Sequence, residues 1–154
     1  MFTIEKNTFS EEETTELGRA FASQLKASDI VAIYGDLGSG KTEFVKGICE
    51  FFKVEEIVTS PTFTIVNKYN GSKDQEKISI YHIDLYRIEK DSELLEIGFE
   101  EYLNDTSAIS LIEWAEKTTL LPENIFKVTI FLDESNDNQR LISIKSPRKI
   151  NIGM

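Results

Sequence analysis

The stretch Gly35-Asp36-Leu37-Gly38-Ser39-Gly40-Lys41-Thr42 decides how this chain is read. It meets every fixed position of the phosphate-binding pattern G-x-x-x-x-G-K-[ST]. Before it, Asp29-Ile30-Val31-Ala32-Ile33-Tyr34 is a short β-branched apolar run, the pattern of a buried strand. After it, Lys41 to Phe52 predicts a helix, with Phe44, Ile48 and Phe51 on one row and Val45, Cys49 and Phe52 on the next. The order strand, glycine loop, helix fits nucleotide chemistry. Gly35, Gly38 and Gly40 let the backbone turn successive N–H groups inward. Those donors and the positive end of the helix then hold the β-phosphate. Lys41 is expected to reach the β- and γ-phosphates, and the Thr42 hydroxyl to ligate Mg²⁺.

A phosphate loop of this kind needs a second acidic group at the end of a neighbouring strand. Two predicted strands end in one: Ile78 to Ile83 in Asp84, and Ile109 to Ile112 in Glu113. In an open α/β sheet the strand C-termini collect on the ligand side, so both carboxylates are expected to face the phosphates. Spacing alone does not say which ligates metal and which positions a water. His82, beside Asp84, reads more as a packed, hydrogen-bonded strand residue than as a catalyst. Trp114 either packs or presents a surface to nucleotide or partner. Asn67-Lys68-Tyr69-Asn70 resembles the guanine-reading N-K-x-D, but Asn70 replaces its aspartate, and a D-x-x-G switch is missing. ATP is therefore the expected nucleotide.

The rest of the chain bounds the reading. At 154 residues one domain is expected. A formal charge of −10 argues against gripping nucleic acid through the protein's own surface. Cys49 has no partner for a disulfide within the chain and reads as a buried small hydrophobe. With neither a secretory signal nor a long apolar run, a soluble protein of the cytoplasm is expected.

In chain order, Phe2-Thr3-Ile4 predicts a short edge strand. Ser10 and Glu13 form a capping box for a helix running to about Lys26. The hydroxyl-rich turn around Ser60-Pro61 leads into a strand over Thr64 to Tyr69, with a hairpin turn at Asn70 to Lys73 and a return strand from Lys77 to Asp84. Asp91 or Ser92 is expected to cap a short helix ended by Gly98. Strands over Lys127 to Leu132 and Leu141 to Lys145 flank an exposed turn, Asp133 to Gln139. The tail Lys149 to Met154 is weakly determined. The fold class is α/β, a P-loop NTPase fold with a central, mostly parallel sheet flanked by helices and extra antiparallel strands.

Four blocks taken together, the phosphate loop, Ser60-Pro61-Thr62-Phe63-Thr64, Tyr81-His82-Ile83-Asp84-Leu85-Tyr86-Arg87 and Glu113-Trp114, give a resemblance. The chain resembles the TsaE (YjeE) family, bacterial ATPases of tRNA threonylcarbamoyladenosine biosynthesis, over almost its whole length, including Thr14 to Gly18. The resemblance implies ATP and Mg²⁺ as ligands and weak ATPase activity alone. It also implies work with the TsaB–TsaD pair, which moves a threonylcarbamoyl group onto adenosine 37 of tRNAs reading codons that start with A. It assigns Mg²⁺ to Thr42 and Glu113 and the attacking water to Asp84. Ser60 to Thr64 becomes a switch-like segment, and Trp114 sits beside the site. By position, Glu11 and Arg140 would touch nucleotide. Two departures stand out: Glu43 replaces a second Thr, adding negative charge by the phosphates, and Ala115 replaces a frequent Pro. A small-molecule kinase using the same loop and carboxylates is the competing class, and a non-catalytic nucleotide sensor the third.

Overall fold

The computed structural model describes residues 1–61 and 64–153. Thr62 and Phe63, which the sequence places in the switch-like segment, lie outside the described residues, as does Met154. The elements are β1 (Phe2–Thr8), α1 (Glu11–Ala22), β2 (Ile30–Tyr34), α2 (Lys41–Phe51), β3 (Val66–Lys73) and β4 (Glu76–Asp84). There follow α3 (Asp91–Glu96), α4 (Phe99–Leu103), β5 (Ala108–Glu113), a 3₁₀ turn (Ala115–Lys117), β6 (Phe126–Asp133) and β7 (Asn136–Ser146). Among the described residues the strands join one seven-stranded sheet in the order β1-β7-β6-β2-β5-β4-β3. Its centre, β6-β2-β5-β4, is parallel. The antiparallel pairs β1–β7, β7–β6 and β3–β4 extend both margins.

Strand periodicity sorts the apolar residues onto two faces. On one, Phe21 of α1, Phe44 and Ile48 of α2 and Phe52 just after it pack against Val31, Ile33, Leu111 and Val128. On the other, Leu94, Phe99 and Leu103 of α3 and α4 pack on Ala32, Ile83 and Ile112. Strand β5 lies between two parallel neighbours with all six residues buried. Among the described residues no helix is long and apolar enough to cross a membrane.

Helices α1 and α2 touch backbone to backbone. A Cβ at Gly47 would stand 2.0 Å from the Thr15 carbonyl oxygen, and one at Gly18 2.3 Å from that of Phe44. Alanine is favoured over glycine in a helix interior by about 1 kcal/mol, yet here the clash dominates. Gly47→Ala is expected to destabilise the fold by roughly 3 kcal/mol, the upper range for overpacking. An unchanged urea midpoint would contradict this contact.

Several sequence expectations need correction. Asn70 to Lys73 is not a turn: these residues pair with Ser79 to Glu76 inside the β3–β4 ladder. The chain reverses at Asp74 and Gln75, with φ of 51° and 68°, the two left-handed residues that a tight hairpin requires. Gly71 is small for another reason, since a Cβ there would meet the Phe52 carbonyl oxygen at 2.9 Å. Helix α1 stops at Ala22 rather than Lys26, and Lys73 Nζ donates to the Ser23 and Leu25 carbonyls beyond it. Ser10 does cap α1, accepting from the Glu13 N–H at 3.1 Å. Neither Asp91 nor Ser92 caps α3. The Glu93 carboxylate accepts from the Glu89 and Lys90 N–H groups, while Asp91 accepts from the Thr118 and Thr119 hydroxyls. Strand β7 begins at Asn136, so the exposed turn is shorter than expected. The tail is docked: Ile150 and Ile152 pack on the core, and Arg148 grips Asp29 with bonds of 2.8 and 2.7 Å.

Candidate functional site

The loop from Gly35 to Gly40 leaves β2 at the C-terminal edge of the parallel strands and enters α2. Gly38 (φ 79°) and Gly40 (φ 104°) hold left-handed conformations, and Gly40 is the N-cap of α2. Gly40 offers no side-chain cap, so the first N–H groups of α2 are left for an anion. Lys41 is 5% exposed. Its Nζ donates to the Gly35 and Asp36 carbonyls at 2.5 and 2.9 Å, and lies 4.0 Å from the Trp114 ring centroid. Burial lowers the lysine pKa, while Glu113, Glu116 and Asp84 oppose that effect. Arg140 on β7 braces the loop, donating through Nε to the Ser39 carbonyl at 2.9 Å and through a terminal nitrogen to that of Gly38 at 3.4 Å.

The two strand-end carboxylates stand side by side, because β4 and β5 are parallel and Asp84 is in register with Glu113. Glu113 is 2% exposed. Thr42 Oγ1 lies 3.2 Å from Glu113 Oε1 and 2.9 Å from Ser60 Oγ, and Ser60 Oγ lies 3.5 Å from Glu113 Oε2. His82, fully buried, places Nε2 2.5 Å from Glu113 Oε2. Burial pushes the Asp84 carboxyl above its usual range and nearby Glu113 adds to that, against the Tyr86 N–H bond, His82 and Lys41. The Thr42 hydroxyl and the Glu113 carboxylate form a pair of hard oxygen donors that fits Mg²⁺, which takes one or two protein groups and completes its shell with phosphates and water. Among the described residues no group of three His, Cys, Asp or Glu is placed to hold a metal by itself. That is the donor set expected for a cation arriving with a nucleotide.

A cavity of about 440 Å³ opens over these groups. Glu11, Leu37, Gly38, Gly40, Lys41, Thr42, Ser60, Asp84, Glu113, Trp114 and Arg140 all line it. Gly35, Asp36 and Ser39 belong to the loop without lining the cavity, and Pro61 follows Ser60 without lining it either. Trp114, at φ 58°, turns its ring toward Lys41 and packs on Tyr86 with centroids 4.9 Å apart. Glu43 lines the cavity too, its carboxylate 3.5 Å from Lys46 Nζ, so part of its charge is offset. Sequence reasoning gave no site role to Ser10, Thr14, Tyr86 or Asn138, which also line the cavity, nor did it find the His82–Glu113 contact. The usable signal was spacing: His82 and Asp84 are two apart on a strand and therefore share a face.

The strand–loop–helix geometry on a parallel sheet centre defines a protein of the P-loop NTPase fold class. The fold is similar to the crystal structure of Bacillus subtilis YdiB, with a TM-score of 0.78, 29% identity, and coverage of 96% of this chain and 87% of that one. The profile of the family described as threonylcarbamoyl adenosine biosynthesis protein TsaE matches residues 8–142, and the chain belongs to the TsaE family. It is 42% identical to the tRNA threonylcarbamoyladenosine biosynthesis protein TsaE of Rickettsia conorii, over 92% of this chain and 78% of that protein. With the protein of the same name from Bacillus subtilis it shares 36% identity over 88% of this chain and 81% of the relative. Fold and family together point to nucleotide binding and to tRNA modification.

Proposed function

We propose that this chain, acting as one domain in the cytoplasm, binds Mg²⁺·ATP in the cavity over Gly35 to Thr42 and hydrolyses it weakly by itself. In this reading it serves the TsaB–TsaD pair that forms N6-threonylcarbamoyladenosine at position 37 of tRNAs reading codons that start with A. The observation that carries the reading is the convergence of Lys41, Thr42, Asp84 and Glu113 on one cavity at the ends of parallel strands. The N–H groups of the loop and of the first turn of α2 hold the β-phosphate. Lys41 exchanges its loop carbonyls for β- and γ-phosphate oxygens. Mg²⁺, when bound, neutralises charge on the phosphates; Thr42 and Glu113 hold it. Asp84, the more basic for its burial, orients the attacking water and accepts its proton. Glu11 and Arg140 contact the nucleotide at the rim, while Ser60, Pro61 and Trp114, together with Thr62 and Phe63 outside the described residues, take the switch role that carries nucleotide state to the partners. A formal charge of −10 leaves the tRNA to those partners.

Phosphate release measured with the protein alone, and again with TsaB, TsaD and tRNA, tests the reading. Strong stimulation is expected; an indifferent rate, or phosphate found on a small acceptor, removes it. Glu113→Ala is expected to raise the Mg²⁺ concentration for half-maximal turnover by at least about 10-fold, the usual scale for losing a group that holds or orients a metal.

A further inference from the structure

The site just described does not explain why a histidine lies buried behind it. Tyr69, His82 and Glu113 come from three adjacent strands, β3, β4 and β5, and are 3%, 0% and 2% exposed. Tyr69 pairs with Ile80 and Leu111 pairs with His82, so each member of the trio sits diagonally from the next. His82 Nε2 lies 2.5 Å from Glu113 Oε2, and Nδ1 lies 3.0 Å from the Tyr69 hydroxyl. That hydroxyl is also 3.2 Å from the Thr59 carbonyl oxygen.

We infer that His82 is a positioning residue for Glu113, and that Tyr69 sets its tautomer and ties it to the segment carrying Ser60. This rests on the reading of Thr42 and Glu113 as the Mg²⁺ site. A carboxylate only accepts, so the His82 nitrogen facing it carries the hydrogen. In the neutral ring Nδ1 is then the acceptor, and the Tyr69 O–H is its donor. His82 thereby holds Oε2 of Glu113, and Thr42 Oγ1 stands nearer to Oε1, at 3.2 Å, than to Oε2, at 3.5 Å. The phenol shares its one hydrogen between two acceptors, His82 Nδ1 at 3.0 Å and the Thr59 carbonyl at 3.2 Å, as a three-centre bond. Thr59 precedes Ser60, whose hydroxyl lies 2.9 Å from Thr42 Oγ1 and 3.5 Å from Glu113 Oε2. The contacts close into a ring: Glu113, His82, Tyr69, Thr59, Ser60, and back to Glu113. Moving Ser60 off the Thr42–Glu113 pair therefore pulls on the Thr59 end of the phenol bond.

The test is a Mg²⁺ titration at fixed ADP, followed by the fluorescence of Trp114, the only tryptophan of the chain, so that no turnover is needed. His82→Asn keeps an amide near the Nδ1 position and loses the donor to Glu113. Its half-saturating Mg²⁺ is expected to rise by about 10-fold or more. His82→Gln reaches to the Nε2 position and is expected to restore the constant to within about 3-fold of wild type, a rescue based on donor placement. Tyr69→Phe leaves the ring in the core and is expected to raise the constant severalfold. Glu113→Gln is the reference. If it shifts the constant while every His82 variant stays at wild type, the positioning role is overturned. Equal losses in His82→Asn and His82→Gln overturn it too, since packing alone would produce them. An unchanged Tyr69→Phe overturns the tautomer link, and an unchanged Glu113→Gln overturns the metal-site reading and this inference with it.

Discussion

Lys41→Ala is expected to weaken Mg²⁺·ATP binding by roughly 100-fold and to abolish turnover. The side chain is buried under Trp114 and donates to two carbonyls of its own loop, so its ammonium is held where phosphate oxygens arrive. Each hydrogen bond to a charged group contributes about 1.5–3 kcal/mol, and two lost together correspond to a factor on the order of 100 or more. The loss is not absorbed by neighbours, because Glu11, Glu43, Asp84 and Glu113 all line the same cavity and repel phosphate. Arg140 is the other cation lining it, and its guanidinium is engaged with loop carbonyls. Calorimetry with wild type and variant would decide; unchanged affinity and rate would refute the phosphate-loop assignment.

The second large effect is expected at Asp84. Asp84→Asn keeps the shape and an oxygen for the Tyr86 N–H, which now donates to Asp84 Oδ1 at 2.9 Å. It removes the proposed base. Turnover is expected to fall by about 10²–10³-fold, within the range for a general base, with Mg²⁺·ADP affinity within a few-fold of wild type. Glu113→Ala should show the opposite division, with metal dependence lost first. If Asp84→Asn instead shifts the Mg²⁺ requirement and Glu113→Ala spares it, the two carboxylates have exchanged roles.

How much of this was legible beforehand depends on the range over which the deciding physics acts. The phosphate loop was legible because its constraints are local: three glycines, a lysine and a hydroxyl at fixed spacing between two apolar patterns. Asp84 and Glu113 were legible as strand ends, and parallel pairing put them in register. The β3–β4 turn was misread because Asn70-Gly71 is a strong local hairpin signal. The glycine answers instead to the backbone of Phe52 beyond the end of α2, a contact between residues far apart in sequence. Helix α4 went unread because five residues carry too little periodicity, although Phe99 and Leu103 are buried. His82 looked like a lone core histidine, and its partners come from two other strands. Glu11 and Arg140 entered through family resemblance, since no spacing rule connects a first helix and a seventh strand to one loop.

Strand β5 has every residue buried and a parallel neighbour on each side. Its amides should be among the slowest in the molecule to exchange with deuterium, opening only when the whole sheet opens. Glu113 therefore rides on a strand expected to be stiff. In the proposed ATPase cycle, the states before and after hydrolysis are therefore not expected to differ by a travelling glutamate. The proposed rearrangement is expected on the Ser60 side, and the exchange difference between the two states should appear there while β5 stays silent.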